Sequence, residues 1–244
     1  MQNVFITGTD TGVGKTVVSA ALLALAREKG VDAVPFKAVQ TGCRGRGSTL
    51  RAPDLEFSIR MSGMDVSTVE RKRMAPYRYR PACSPHLAAQ KAGDAIMLSD
   101  IRKHCRILAQ AHDAVIAEGA GGVLVPIGGS RTMLDVMKSL GFPVILVSRP
   151  ELGTLNHTLM SLKVLRDAGL EVLAVVLCRT QSEGTSYIES DNRKTLNKLG
   201  KLPVLGPVPF IRAIQTEKIS PQTFLSKLKP SINPLLALLD PNYQ

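Results

Sequence analysis

Short apolar segments alternate with longer segments of helical periodicity along most of the chain. The short segments are rich in β-branched residues and mostly apolar throughout, which is typical of strands buried on both faces of a parallel sheet. They are Val4–Ile6, Val31–Val39, Ala114–Ala117, Pro143–Val147, Val172–Leu177 and Val204–Pro209. The helices predicted between them are Thr16–Lys29, Leu98–Ala111, Thr132–Leu140, Leu152–Ala168 and Ser186–Leu199. This order predicts an α/β fold, with a doubly wound, mainly parallel sheet and helices on both faces.

Two segments depart from the alternation. Residues 42–95 have few strand signals and many basic residues, and we interpret them as a basic insertion over the sheet. The tail from residue 211 is interrupted by prolines and predicts no element. Because 244 residues are enough for one large α/β core, we expect a single domain over 1–244.

The basic insertion allows two interpretations. Its arginines form a solvated face with one or two of them near a ligand, or they form a nucleic-acid patch. The second interpretation lacks interleaved aromatic residues apart from Tyr77 and Tyr79. We therefore expect no nucleic-acid partner. The basic residues of this segment are Arg44, Arg46, Arg51, Arg60, Arg71, Lys72, Arg73, Arg78 and Arg80.

Composition narrows the class of protein further. The net charge of +11 favours anionic ligands without choosing among them. The four cysteines are too far apart for a zinc or redox motif, so we expect reduced structural thiols. The start of the chain lacks the features of a signal peptide, and the longest helical apolar run is about half a bilayer-spanning length. We expect a soluble, cytoplasmic protein with no membrane partner.

The first predicted strand is followed by Thr7-Gly8-Thr9-Asp10-Thr11-Gly12-Val13-Gly14-Lys15-Thr16 and then by a helix. Gly14-Lys15-Thr16 matches the end of a phosphate-binding P-loop, although the first glycine lies one position early, at Gly8. Backbone N–H groups and the helix N-terminus would bind phosphates, Lys15 would contact the β and γ phosphates, and the Thr16 hydroxyl suits Mg²⁺. The motif predicts nucleotide binding.

Two carboxylates are candidates for the rest of a metal site. Glu118 follows the apolar strand Ala114–Ala117, at the carboxyl end where open α/β sheets hold their ligands. Asp54 follows Pro53 in the basic insertion. From the residues alone, Asp54 is equally well a surface acid or a helix-start residue.

With these motifs placed, the sequence resembles the dethiobiotin synthetase family over residues 4 to about 211. The resemblance rests on motifs that occur in the family's order. They are the P-loop, Phe36-Lys37-Ala38-Val39-Gln40-Thr41-Gly42, Ser84-Pro85-His86-Leu87-Ala88-Ala89, Glu118-Gly119-Ala120-Gly121-Gly122, Leu152-Gly153-Thr154-Leu155-Asn156-His157 and Pro203-Val204-Leu205-Gly206-Pro207-Val208-Pro209.

The resemblance implies a homodimer that uses ATP and Mg²⁺ to carboxylate 7,8-diaminononanoate with CO₂ and close the ring. It implies catalytic roles for Lys37, Lys15 and Thr11. The implied nucleotide site consists of Thr11, Gly12, Val13, Gly14, Lys15, Thr16, Val17, Glu118, Cys178, Pro207, Val208 and Pro209. The implied magnesium ligands are Thr16, Asp54 and Glu118, and the implied substrate site consists of Lys37, Thr41, Gly153, Thr154, Leu155 and Asn156.

Several of these residues also have a plain structural interpretation. Lys37 is equally a solvated lysine at a strand end, His86 a packed histidine and Asn156 an ordinary helix-start amide. Cys178 stands where related proteins usually place an asparagine that reads adenine. A thiol cannot reproduce the paired hydrogen bonds of a carboxamide, so Cys178 either occupies the base site with relaxed selectivity or packs as a small apolar residue.

Two other classes of protein share the P-loop start. A related amide synthetase of cobalamin synthesis usually carries a further glutaminase domain, for which this chain has no room. A ParA/MinD-like dimeric ATPase switch would suit the net charge. Such switches place a lysine early in the P-loop, where this chain has Asp10-Thr11-Gly12. Both classes remain as alternatives at this stage.

Overall fold

The computed structural model describes residues 1–182, 187–216 and 218–240. The strands are β1 Val4–Gly8, β2 Ala33–Lys37, β3 Val39–Gln40, β4 Tyr77–Arg78, β5 Ala114–Glu118, β6 Pro126–Gly128, β7 Arg131–Thr132, β8 Val144–Ser148, β9 Val172–Cys178 and β10 Val204–Val208. The helices are α1 Lys15–Glu28, α2 Pro53–Met61, α3 Thr68–Met74, α4 Pro85–Lys91, α5 Leu98–Ala111, α6 Met133–Leu140, α7 Thr154–Asp167, α8 Tyr187–Gly200, α9 Arg212–Gln215 and α10 Pro221–Leu239.

Six of the strands form one parallel sheet in the order β10-β9-β8-β1-β5-β2. β1 lies between β5 and β8, so the chain leaves β1 toward one side of the sheet and later returns to the other side. Such a reversal leaves a crevice at the carboxyl ends of the strands, where α/β proteins bind ligands. The loop after β1 lies at this crevice. The predicted fold class is confirmed.

Hydrophobic side chains form a core on each face of the sheet. On one face α1 is buried almost all round, from Val18 to Ala26, because it lies between the sheet and other helices. α10 packs along α1 with Phe224, Leu228 and Ile232 fully buried. No helix within the described ranges is both long and apolar enough to cross a membrane.

The C-terminal tail is the largest element that the pattern did not predict. Its buried positions follow a helical period, but Pro230 and Pro234 lie inside the helix and conceal that period. Proline normally interrupts a helix because it lacks an N–H group and clashes with the preceding turn. Packing against α1 outweighs that local cost here. Glu217 and residues 241–244 of the tail lie outside the described residues.

The basic insertion contains helices that the sequence pattern also missed. α2 has Pro53 at its first turn, and α3 begins at a capping box in which Ser67 and Glu70 bond each other's backbone. These are ordinary helix-start signals, and they were available in the sequence. The helices are only two turns long, so their apolar period is too short to recognise without the caps.

The strand predicted over Val31–Val39 is wrong as a single element. β2 ends at Lys37, and after Ala38 the chain leaves the main sheet because Val39 pairs with Tyr77 in a separate two-stranded ladder. Other predicted elements agree to within a few residues. The helix predicted from Leu152 begins instead at Thr154, because Gly153 has a left-handed φ of 94°. Ser186, predicted as a helix start, lies outside the described residues.

Candidate functional site

The loop between β1 and α1 has the backbone shape of a phosphate cradle. Gly12 and Gly14 have φ values of 72° and 99°, which only glycine adopts without strain. A Cβ atom at Gly14 would also lie 2.4 Å from Sγ of Cys178, so no other residue fits there. The loop leads directly into the first turn of α1, whose free N–H groups and helix dipole favour an anion.

Lys15 is a buried cation at the start of α1, with only 6% of its surface exposed. Its Nζ donates a hydrogen bond to the backbone oxygen of Asp10 at 2.7 Å. Burial, and then the positive charge of Lys37, lower the pKa of Lys15 to about 8. An anion bound in the loop would oppose both effects, which is the behaviour expected of a phosphate-binding lysine.

A second buried cation lies between two carboxylates. Nζ of Lys37 lies 2.6 Å from Oε1 of Glu118 and 2.7 Å from Oδ2 of Asp54. The first contact follows from the sheet, because Lys37 at the end of β2 is paired with Glu118 at the end of β5. The second comes from the first turn of α2. Burial alone would lower the pKa of Lys37, but the two carboxylates raise it above its usual range.

The carboxyl group of Glu118 meets the P-loop helix at Thr16, and Asp54 lines the same cavity. The Thr16 hydroxyl donates to Oε1 of Glu118 at 2.9 Å. In the described part of the chain there is no group of three or more His, Cys, Asp and Glu side chains that could hold a metal. The set of one hydroxyl and two carboxylates supplies oxygen ligands only, which fits Mg²⁺ completed by water and phosphate oxygens.

These side chains surround one cavity of about 620 Å³, which we call the P-loop cavity. Its volume is within the range of small-molecule sites. The cavity brings together ten of the residues that the sequence assigned to a site. They are Thr11, Gly12, Gly14, Lys15, Thr16, Val17, Lys37, Thr41, Asp54 and Glu118. Val13 is buried behind the loop and contributes no side chain to this cavity.

Gln40 also lines this site, although its sequence position predicted no role for it. Its amide Nε2 donates to the backbone oxygen of Thr41 at 3.0 Å, and its Oε1 accepts from the backbone N of Asp54 at 3.3 Å. Gln40 thus fixes the start of α2 and the carboxylate of Asp54. The one feature of the sequence that could have predicted this role is the position of Gln40, three residues after Lys37 at the end of β2.

Two further contributions were also missed. Arg149, the residue after β8, donates from Nη2 to the backbone oxygen of Thr11 at 3.1 Å and so supports the P-loop. Cys83, Ser84 and Pro85 line the P-loop cavity, whereas His86 is exposed and lines a separate cavity with Arg131. The residues of the Ser84–Ala89 motif that line the P-loop cavity are therefore Ser84 and Pro85, and not His86.

The start of α7 lies outside the P-loop cavity of its own chain. Gly153 and Asn156 are exposed and Leu155 is half-buried, whereas Thr154 is buried. Thr154 belongs to a cluster of hydroxyl groups, with Oγ1 lying 2.7 Å from Oγ of Ser148 and 3.2 Å from Oγ1 of Thr158. This cluster fixes the start of the helix.

Cys178 and the segment after β10 also lie outside the P-loop cavity. Cys178 is 2% exposed, its thiol faces Gly14, and burial raises its pKa to about 12. This placement favours the packing interpretation of Cys178. Pro207 and Pro209 are half-buried and Val208 is buried, with its backbone oxygen accepting from N of Arg179 at 3.0 Å.

Four arginines of the basic insertion line a second cavity of about 760 Å³. We call it the arginine cavity, after Arg44, Arg51, Arg60 and Arg71. It shares Thr16, Val17 and Asp54 with the P-loop cavity. More arginines lie near the site than the one or two expected from the sequence.

The chain is similar to known proteins along most of its length. A family profile described as an AAA domain matches residues 2–218. The ATP-dependent dethiobiotin synthetase BioD of Bacillus velezensis is 32% identical over 219 residues, which cover 90% of this chain and 91% of that protein. The protein of the same name from Halalkalibacterium halodurans is 37% identical over 218 residues, covering 88% of each chain.

A solved ParA family ATPase from Chlorobium tepidum TLS aligns with 99% of both chains, at a TM-score of 0.59 and 19% identity. A similarity at this identity shows a shared fold only. The two curated relatives exceed 30% identity along most of the chain. This chain belongs to the family of ATP-dependent dethiobiotin synthetases.

Proposed function

We propose that this chain catalyses the ATP-dependent conversion of 7,8-diaminononanoate and CO₂ to dethiobiotin, ADP and inorganic phosphate. The single observation that supports this most strongly is the pair of buried lysines, Lys15 and Lys37, which meet in one cavity at the carboxyl ends of β1 and β2. Both reacting anions of such a reaction, a phosphate chain and a carbamate, require buried positive charge.

The reaction consists of three steps. One substrate amine adds to CO₂, loses a proton and gives a carbamate. A carbamate oxygen then takes the γ-phosphoryl group, the bond from phosphorus to the bridging oxygen breaks, and ADP leaves. Finally the second amine attacks the carbonyl carbon and loses a proton, the bond from carbon to the phosphorylated oxygen breaks, and phosphate leaves with that oxygen. Phosphoryl transfer depends mainly on positioning and electrostatic stabilisation, so the protein needs to supply charge and shape.

Lys15 holds the β and γ phosphates in this proposal. It is anchored to the loop by its bond to the Asp10 backbone, which aims a full charge at the centre of the cradle. The N–H groups of Gly14, Thr16 and Val17 at the start of α1 add partial positive charge along the phosphate chain. The Thr11 hydroxyl, at the cavity wall, donates to the phosphate or carbamate.

Lys37 stabilises charge between the γ-phosphate and the carbamate. Because its pKa is raised, Lys37 stays protonated through the reaction and acts as a fixed cation rather than as a base. Thr41 lines the same wall and offers a hydroxyl to the carbamate. Mg²⁺ held by Thr16, Asp54 and Glu118 would neutralise phosphate oxygens.

The start of α7 receives the substrate carboxylate from a neighbouring subunit, which makes the active form a homodimer. The free N–H groups at the start of a 14-residue helix suit a carboxylate, and Gly153 leaves them accessible. The proposal is supported by the position of Gly153, Thr154, Leu155 and Asn156, which do not line the P-loop cavity of their own chain. Leu152, at 90% exposure, offers an apolar surface to the aliphatic part of the substrate.

The backbone of Pro207, Val208 and Pro209 is proposed to lie near the nucleotide base. We do not extend the base site to Cys178, because its thiol is buried against the P-loop. The cytoplasmic location expected from the sequence stays a prediction.

The proposed function is tested by incubating the purified protein with 7,8-diaminononanoate, bicarbonate, ATP and Mg²⁺. We expect dethiobiotin by mass spectrometry, with one phosphate released for each molecule formed. Lys37→Gln should abolish product formation, whereas Lys163→Gln, which removes an exposed lysine of α7, should not. ATP binding without any dethiobiotin from the parent protein would contradict the proposal.

A further inference from the structure

All the hydrogen-bond donors of Lys37 have partners within the protein. An ammonium group has three N–H donors and no acceptor. Two of them point to carboxylates, because Nζ lies 2.6 Å from Oε1 of Glu118 and 2.7 Å from Oδ2 of Asp54. The third donates to the backbone oxygen of Gly119 at 3.1 Å. In this arrangement Lys37 has no donor left for a γ-phosphate or a carbamate, so its proposed role requires it to leave some of these partners.

The two carboxylates that bond Lys37 are also the proposed ligands of Mg²⁺. Oε1 of Glu118, which contacts Lys37, accepts from the Thr16 hydroxyl as well, at 2.9 Å. The ion pair of Lys37 thus lies directly beside the first turn of α1, where Thr16 is the third proposed ligand of the metal. Lys37 and Mg²⁺ therefore draw on the same pair of carboxylates.

The charges of this cluster favour one cation at a time. Asp54 and Glu118 together carry two negative charges, and Lys37 offsets one of them. A divalent cation offsets both. Two cations on one buried carboxylate pair repel each other strongly, because the effective dielectric constant of a buried site is far below that of water. A pair that holds a divalent cation therefore attracts Lys37 much less than it does alone.

The P-loop cavity offers a second place for the ammonium group of Lys37. Lys37 lines this cavity together with Lys15 and Thr41. Its charge is carried on a flexible four-carbon stem, so Nζ can leave the carboxylates while β2 keeps its place in the sheet. An anion between Lys15 and Lys37 would attract the released charge into the cavity.

We propose that Lys37 and Mg²⁺ are alternative counter-ions of the Asp54 and Glu118 carboxylates, and that Lys37 leaves this pair when ATP and Mg²⁺ bind. The inference rests on the proposed function, because it assumes that the P-loop cavity binds ATP with Mg²⁺. Lys37 keeps its charge throughout and changes only its partners. Its donors become available to the carbamate after the nucleotide and the metal are in place. The exchange thereby makes loading of ATP and Mg²⁺ a condition for activation of the carbamate.

The first test uses ADP, with which no turnover takes place. Calorimetry gives the affinity for ADP with and without Mg²⁺, and the ratio of the two reports how strongly the metal and the nucleotide favour each other. We expect Lys37→Gln to raise this ratio by at least about ten-fold, because the competing cation is removed. Lys163→Gln, which removes an exposed lysine of α7, should match the parent.

Thermal melts with Mg²⁺ alone give a second readout on the same variant. Lys37→Gln leaves two buried carboxylates without a cation, which lowers the melting temperature. Added Mg²⁺ should raise the melting temperature of Lys37→Gln by more than that of the parent, because the metal binds the folded protein in place of the missing lysine.

A crystal structure of the parent protein with Mg²⁺ and ADP tests the exchange without any variant, and so does not depend on the folding of Lys37→Gln. We expect Nζ of Lys37 to lie beyond hydrogen-bond distance of both Asp54 and Glu118 in that structure.

Two results would overturn the inference. An equal effect of Mg²⁺ on ADP affinity in Lys37→Gln and the parent would mean that Lys37 and the metal do not compete. Nζ still bonded to both carboxylates beside the bound metal would mean that no exchange takes place. Neither measurement involves 7,8-diaminononanoate or CO₂. Failure here with normal dethiobiotin formation removes only the exchange, whereas a lack of dethiobiotin contradicts the proposed function.

Discussion

The two sides of the P-loop differ in charge although both are buried at the same end of the sheet. Toward β5 and β2 lies the charged flank, which consists of Lys37, Asp54 and Glu118. Toward β8 and β9 lies the neutral flank, which consists of Ser148, Thr154, Thr158 and Cys178. Its hydroxyls bond one another, with Oγ1 of Thr158 2.9 Å from Oγ of Ser148.

The charged flank supplies the groups that act on ligands, whereas the neutral flank supports the P-loop. Burying a charged side chain is costly unless the charge is paired. A buried cluster of three charged residues therefore indicates a place where the protein binds charged ligands. The neutral flank has no such cost. Oγ of Ser148 lies 3.3 Å from Oγ1 of Thr9, and Cys178 packs under Gly14, so this flank holds the loop in shape. Substitutions on the two flanks should therefore fail in different ways.

The largest effect is expected from removing Lys15, the buried cation that lies between the two flanks. Lys15→Ala should lower kcat/KM for ATP by at least about a hundred-fold, since one buried contact to the phosphates typically accounts for that much. Steady-state kinetics and calorimetry measure the loss, with Lys163→Ala as the control for an exposed lysine. ATP binding and turnover near those of the parent would show that the P-loop assignment is wrong.

The role of Lys15 can also be tested through the pH dependence of ATP binding. The pKa of Lys15 is lowered to about 8, so its charge is present below pH 8 and is lost as the pH rises through that value. ATP affinity should therefore fall by roughly ten-fold for each pH unit above 8. Calorimetry from pH 7 to 9.5 measures this slope. Lys15→Ala should lack it, and an equal slope in that variant would assign the titration to another group.

A smaller effect is expected from the carboxylates of the charged flank. Glu118→Gln and Asp54→Asn remove one charge each with little change in shape. Each should raise the Mg²⁺ concentration for half-maximal activity by about ten-fold or more, while the melting temperature shows that the fold is kept. The control is Asp167→Asn, an exposed acid on α7. An unchanged Mg²⁺ requirement in both variants would place these acids outside the metal site.

The smallest effect on catalysis is expected on the neutral flank. Cys178→Asn puts a larger, polar group against Gly14, so it should lower the free energy of unfolding by about 1–3 kcal/mol. The order of preference among ATP, CTP and GTP should stay that of the parent. Denaturant melts and competition binding measure the two quantities. A gain in preference for ATP would return Cys178 to the base site.

The sequence predicted the main sheet and the position of Glu118 for a physical reason. β1, β5, β8 and β9 are apolar throughout because both faces are covered, and the residues that interrupt them, such as Glu118, stand at the carboxyl ends. Lys37 and Glu118 lie next to each other because β2 pairs with β5 in the sheet. The pairing of these two strands cannot be predicted from the spacing of the residues along the chain.

Other features depend on packing that the sequence pattern does not express. Asp54 reaches Lys37 only because α2 folds back over the site, and Gln40 fixes that return. Similarly, α10 is a helix despite Pro230 because α1 offers it an apolar surface. The arginines of the insertion could be counted in the sequence, but the cavity they line is formed by α2 together with α9.

In the proposed reaction this site phosphorylates a carbamate and then closes the ring. Oxygen-18 in the CO₂ supply reports on both steps, because the departing phosphate keeps one carbamate oxygen. With ¹⁸O-labelled bicarbonate, 7,8-diaminononanoate, ATP and Mg²⁺, we predict dethiobiotin and an inorganic phosphate that carries one ¹⁸O, measured by mass spectrometry before the label exchanges with water. Dethiobiotin accompanied by unlabelled phosphate, or no dethiobiotin at all, would contradict the proposed reaction.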